Sequence, residues 1–184
     1  MICSKKDLKE YIAADNSWGQ VGGIKGNLIS RFAHYPSYEL KKYLIFLRKQ
    51  EYYINTAKGN KIKGILGLYY ERKKNKLGLR LGIEIGPNCF GKGLQIFHSG
   101  SIIINTNVKA GENCFLHGAN CIGNNGKTND APILGDNVDI GYGAVIIGNI
   151  TVASNVKIGA NAVVTRSITE ENSSYVGIPA KKIR

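Results

Sequence analysis

From Ile104 onward the chain counts in sixes. Steps of six give Ala110, Leu116, Ile122, Thr128, Leu134, Ile140, Ile146, Val152, Ile158 and Val164, apolar everywhere except Thr128. Two residues ahead of the steps runs a second, mostly apolar or small series: Ile102, Val108, Cys114, Asn120, Val138, Ala144, Ile150, Val156 and Ala162. Glycine follows the step at 111, 123, 135, 141 and 159. Positions two apart share a strand face, so both series are expected to point inward. The glycines mark corners where a Cβ would clash. Three six-residue sides make a triangular coil, and residues eighteen apart then stack about 4.8 Å apart. Asn137 with Asn155 and Gly141 with Gly159 are such pairs. No insertion interrupts the count, so one stacking register is expected throughout. A β-sandwich would show turn signals every ~8–12 residues instead of a strict six.

The 184 residues divide by texture near position 82. Residues 1–81 read as an α-helical segment and 82–184 as the β-helix with its tail. Ser4 and Asp7 form a capping box before "KKDLKEYIAA". The stretch "WGQVGGIKGN" (18–27) breaks the pattern. A helix then starts after Pro36, with Leu40, Tyr43, Leu44 and Leu47 on one face. A third helix covers "KIKGILGLYYERKKNK" (61–76). No stretch approaches the ~18 apolar residues of a membrane span, and "MICSKKDLKEY" lacks the apolar core of an export signal. Cys3, Cys89, Cys114 and Cys121 show no CxxC pairing and read as reduced thiols of a cytoplasmic protein.

Charge is uneven. Twelve Lys or Arg lie between 41 and 80 against Glu51 and Glu71, which is +10 of the net +12. Such a segment suits an anionic polymer, a membrane surface or a phosphorylated ligand, or simply a solvated face. The rings of Tyr43, Phe46, Tyr52, Tyr53, Tyr69 and Tyr70 read as core rather than as a stacking platform, so no nucleic-acid partner is expected.

The stretches "IGYGAVIIGNITVASNVKIGANAVV" and "VGIPAKKIR" resemble the hexapeptide-repeat acyltransferases, the serine acetyltransferase branch and the shorter sugar acetyltransferases of capsule and lipopolysaccharide clusters above all. The resemblance implies a left-handed parallel β-helix, acetyl-CoA as co-substrate without a metal, and a homotrimer with active sites at subunit interfaces. On residues alone His98, six before Ile104, stands in an aliphatic slot of the count and reads as a satisfied core histidine. "FHSGSIII" matches the place of the family's general base, so the resemblance makes His98 catalytic. "EIGP" stands where the family has Asp-Ile-x-Pro, which makes Glu84 its carboxylate partner, one residue closer than usual. His117 is open to two readings, acceptor binding in the same groove or a structural corner residue; His34 reads as structural. Carried over by position, the acetyl-CoA contacts fall at Asn124, Tyr142, Ala160, Thr165, Arg166 and Lys181.

The departures bear on the acceptor. The Arg–His pair with which serine acetyltransferases clamp the amino-acid carboxylate is replaced by Asp130 and Ala131; an aspartate would repel that carboxylate, and Asp130 is expected to contact a different acceptor at that place. Phe97 replaces the aspartate before the catalytic histidine. The helical part is also shorter. The expectation is therefore transfer to a glycan hydroxyl in the cytoplasm, with peripheral contact at the inner membrane face through 41–80. Serine O-acetylation and a non-catalytic anionic-polymer scaffold are the alternatives. A zinc enzyme of the γ-carbonic anhydrase type would need three ligand histidines, and His34 lies outside the repeat.

Overall fold

The computed structural model describes residues 1–17, 29–30 and 32–183, and the Gly-rich break at 18–27 lies outside them. Helix α1 (Lys5–Asp15) starts at the expected capping box. Ser4 Oγ accepts from the Asp7 amide at 3.0 Å while Asp7 Oδ2 accepts from the Ser4 amide at 2.9 Å. Helix α2 (Pro36–Ala57) opens on a proline whose missing N–H costs nothing there. Helix α3 (Lys61–Leu81) is capped by Asn60 and runs five residues past the predicted end, to Gly82 at φ +68°. The expected face of α2 is buried, and it joins one continuous apolar core with Ile83, Phe90 and Leu94.

A fully buried Arg48 ties the helices to residues 90–94. It donates to Asp15 at 2.7 Å, to Glu51 at 3.0 Å, and to the Phe90 and Gly91 carbonyls at 3.0 and 2.6 Å. Asp15 also accepts from the Gly93 and Leu94 amides. With every polar partner supplied, the desolvation of these charges is offset, whereas removal of one partner would strand a buried charge at a cost of about 3–5 kcal/mol.

The rest is a left-handed parallel β-helix with three faces. One sheet stacks β1 (Ile83–Ile85), β3 (Ile102–Ile104), β6 (Cys121–Gly123), β9 (Val145–Ile147) and β12 (Val163–Val164). A second holds β4 (Lys109–Ala110), β7 (Ile133–Leu134) and β10 (Thr151–Val152). The third holds β2 (Gln95–Ile96), β5 (Phe115–Leu116), β8 (Asp139–Ile140), β11 (Lys157–Ile158) and β13 (Ser174–Val176), closed by antiparallel β14 (Lys181–Lys182). Both inward series are buried except Ala110, which is half-buried, and Thr128. The buried Asn120 is satisfied by the Gly118 amide and the Gly141 carbonyl.

The single stacking register expected from the unbroken count is not found. Ile104 pairs with Ile122 and Ile140 with Ile158, eighteen apart, but Ala110 pairs with Leu134 and Leu116 with Ile140, twenty-four apart. The connector 124–132 is longer by one period and carries the exposed Thr128. Six extra residues in a six-residue repeat return every later side chain to its inward or outward face, so the pattern shows no break. Beyond this extension the stacking is as expected, with Asn137 donating to Asn155 at 2.9 Å; across it the step is twenty-four, with Asn113 donating to Asn137 at 3.0 Å. These asparagines, at φ +54° to +59°, take the left-handed corner positions. The glycines answer a different need, since a Cβ on Gly141 would sit 2.6–2.8 Å from the backbone of the next coil.

Candidate active site

Two edges of the prism carry the predicted residues. The register of the third sheet places His98, Gly118, Tyr142 and Ala160 in one column, just past strands β2, β5, β8 and β11. A Cβ on Gly118 would lie 3.1 Å from His98 Cβ and 3.1 Å from the Tyr142 ring, so the glycine leaves the gap between them open. His98 is exposed, not the satisfied core residue that composition alone suggested. Among the described residues nothing hydrogen-bonds its ring. Glu84, exposed in the middle of β1 opposite Ile103, makes no hydrogen bond to it in the single chain. Glu84 instead lines a groove of about 510 Å³ with Ser101, Ile103 and Lys74. Burial pulls the Lys74 ammonium below its ordinary value, and its Nζ donates to the Ile85 carbonyl at 2.7 Å.

The carboxylate–imidazole pair lies one coil further on. His117 Nε2 is 2.8 Å from Asp139 Oδ1, and both side chains are about one-third exposed. Its ring stacks on Phe97, the neighbour of His98, with centroids 4.6 Å apart and planes at 22°. Sequence reasoning missed Asp139 because an eighteen-residue stack puts Gly135 beside His117. The observed step of twenty-four aligns Phe115 with Asp139 instead.

The second edge lies past β6, β9 and β12. Asn124 shares it with Gly148, Thr165 and Arg166, and the Gly148 amide donates to Gly123 at 2.9 Å. Asn124 itself accepts from the Gly126 amide at 3.3 Å. Asp130, exposed on the extension, accepts from Asn149 at 3.3 Å, and Ala131 is buried. Lys181 is exposed in β14 at the end of the helix, while Lys182 is held by Glu170. The exposed Arg166 and Lys181 are thus cations suited to phosphates.

The five-stranded sheet separates these edges, at most about 20 Å apart for six extended residues. Past Glu84, its outward middle column is apolar: Ile103, Cys121, Val145 and Val163 follow one another along the axis. No covalent intermediate is offered by the buried thiols. Burial pushes Cys114 up to about 12 and Cys89 upward too, so neither is a thiolate near neutral pH.

No family profile matches the chain. In sequence it is similar to a serine acetyltransferase of Staphylococcus xylosus, 39% identical over 74 residues that make up 39% of this chain and 34% of that protein. It is also similar to WcaB of Escherichia coli, whose name refers to acetyl transfer in colanic acid biosynthesis: 37% over 73 residues, 39% of this chain and 45% of that one. The matched segments span less than half the length of these curated relatives. In structure the chain resembles the soybean serine acetyltransferase apoenzyme (TM-score 0.68, 21% identity, 97% of this chain and 69% of that one). A serine acetyltransferase in complex with CoA gives a TM-score of 0.66 at 22% identity, over 97% and 71% of the two chains. These two likenesses speak to the fold.

Proposed function

We propose that this chain, a hexapeptide-repeat protein resembling the serine acetyltransferase branch, is an acetyl-CoA-dependent O-acetyltransferase acting on a hydroxyl of a cell-surface glycan, with His98 as general base. The observation that carries it is the exposed His98, with no hydrogen-bond partner among the described residues, in one column with Tyr142 and Ala160. An alcohol must lose its proton as it attacks a thioester, and a neutral imidazole accepts it, for roughly 10²–10⁴-fold in rate. A backbone N–H of the neighbouring coils aimed at the thioester oxygen would stabilise the oxyanion. Arg166 and Lys181 would take the nucleotide phosphates, and Ala160 leaves room for the pantetheine arm.

Within one copy the His98 edge and the Asn124–Arg166 edge flank an apolar sheet. A second copy packed on that sheet would bring the His98 edge of one to the Asn124 edge of the other, which supports a homotrimer with sites between subunits. For the acceptor, Asp130 offers a negative charge where a serine carboxylate would need a cation, and the buried Ala131 offers no donor. The acceptor is then a glycan hydroxyl, and the basic segment 41–80, apart from the acceptor site, offers peripheral contact with an anionic surface. Serine O-acetylation is favoured by the names of several relatives and fits the fold as well.

The deciding assay offers acetyl-CoA with L-serine and, separately, with cell-surface oligosaccharides, read by mass spectrometry. Acetylated glycan with inert serine supports the reading, and rapid O-acetylserine formation overturns the acceptor. His98→Ala is expected to lose about 10²–10⁴-fold in turnover with acetyl-CoA affinity retained in calorimetry. Near-normal turnover would remove His98 from the mechanism, and no acetyl-CoA binding by the parent chain would leave a non-catalytic scaffold.

A further inference from the structure

Helices α2 and α3 leave a groove of about 380 Å³ between them, lined by Lys42, Arg72, Lys73, Lys76 and Arg80 over a floor that includes Phe46 and Tyr69. Among the described residues no carboxylate lines it. Glu71 is the one acidic residue of α3. Along α3, Ile62, Ile65, Tyr69, Arg72, Lys76 and Arg80 recur at spacings of three or four and so share one flank. Its first half is apolar and bare, with Ile62 71%, Ile65 65% and the adjoining Leu68 66% exposed. Its second half is cationic. A helix packed on a soluble core normally turns such apolar residues inward.

We infer that this flank docks on an anionic phospholipid surface, the groove cations meeting headgroup phosphates and Ile62, Ile65 and Leu68 entering the interface. The combination decides the occupant. A water-soluble polyanion would use the cations and leave the apolar row without a purpose. A second copy laid on this flank would face its own five cations, and like charges in contact repel. An anionic bilayer supplies both chemistries, headgroup charge above and acyl chains below, which is how amphipathic helices lie at membranes. Each Lys or Arg near such a surface contributes measurably and is screened within a Debye length. The docking surface is thereby a defined groove with a defined ligand, where charge alone gave only a basic segment. It does not depend on acetyl transfer.

The test is co-sedimentation of the full chain with vesicles of phosphatidylcholine alone and of equimolar phosphatidylcholine and phosphatidylglycerol. Binding to the mixed vesicles alone is expected. The double variant Lys73→Glu with Lys76→Glu should lower the partition coefficient at least about tenfold. Ile62→Ser with Ile65→Ser should lower it several-fold with the charge intact. All four positions are exposed, so circular dichroism should match the parent. No binding to the anionic vesicles overturns the inference. Unchanged vesicle binding by the serine variant, together with displacement by soluble polyphosphate, would make the groove a soluble-anion site. Self-association dissolved by the serine variant would give the flank to a second copy. Acetyl transfer to a water-soluble acceptor should be the same in all variants, so its failure would concern the catalytic reading alone.

Discussion

A carboxylate accepts hydrogen bonds and donates none, so the Asp139 contact places a proton on Nε2 of His117. In the neutral ring Nδ1 is then the accepting nitrogen, and the stack on Phe97 fixes its plane beside His98. An imidazole set this way is suited to receive an acceptor hydroxyl, which favours the binding reading of His117 over the structural one. Asp139→Ala is expected to raise the acceptor KM about tenfold, the value of one charge-assisted hydrogen bond, with the KM for acetyl-CoA unchanged. Steady-state kinetics with each substrate varied in turn would show it; a fall in kcat alone would give His117 a different part. His98 was legible as a ring in the count of six, although the structure moves it from the expected inward slot to an exposed corner beside Gly118, and His117 was legible only by its place one coil later. Asp139 was not, because an acidic residue at an outward strand position is ordinary until its neighbour across the coil is known.

At the scale of elements, the connector 124–132 is the feature that the repeat conceals. Deleting 125–130 would leave three residues between β6 and β7, the same number as between β9 and β10. Every apolar residue would keep its inward face. The loop-closure change is small, so stability to urea should stay within about 1 kcal/mol of the parent. Transfer to the acceptor should fall, because Asp130 is removed. A collapse in stability would mean that the extension packs as part of the core. The helices show the converse case. Their caps and buried face followed from local chemistry, Ser4 with Asp7, Pro36, and Leu40 through Leu47. Tyr69, read as core, is 47% exposed in the groove floor, because spacing alone does not say which flank of α3 meets α2.

At the scale of the molecule, the apolar outward column Ile103, Cys121, Val145 and Val163 joins the question of assembly to that of catalysis. Val145→Asp puts a charge on that face while leaving the inward core untouched. If the proposed trimer packs on this face, sedimentation velocity should show a trimeric parent, a monomeric variant, and acetyl transfer lost with assembly. A monomer of full activity would mean that each copy holds a complete site. The period of six by itself determined that the chain would wind into a parallel β-helix and which residues from Ile102 onward point inward. Inward and outward are decided by local geometry, two residues at a time, and local geometry is written in the sequence. Which coil lies over which was decided only by the tertiary structure. An inserted period leaves each residue's own environment unchanged and alters only its neighbour across the stack, so the Asp139–His117 pair and the two separated edges became visible only with the coils in place.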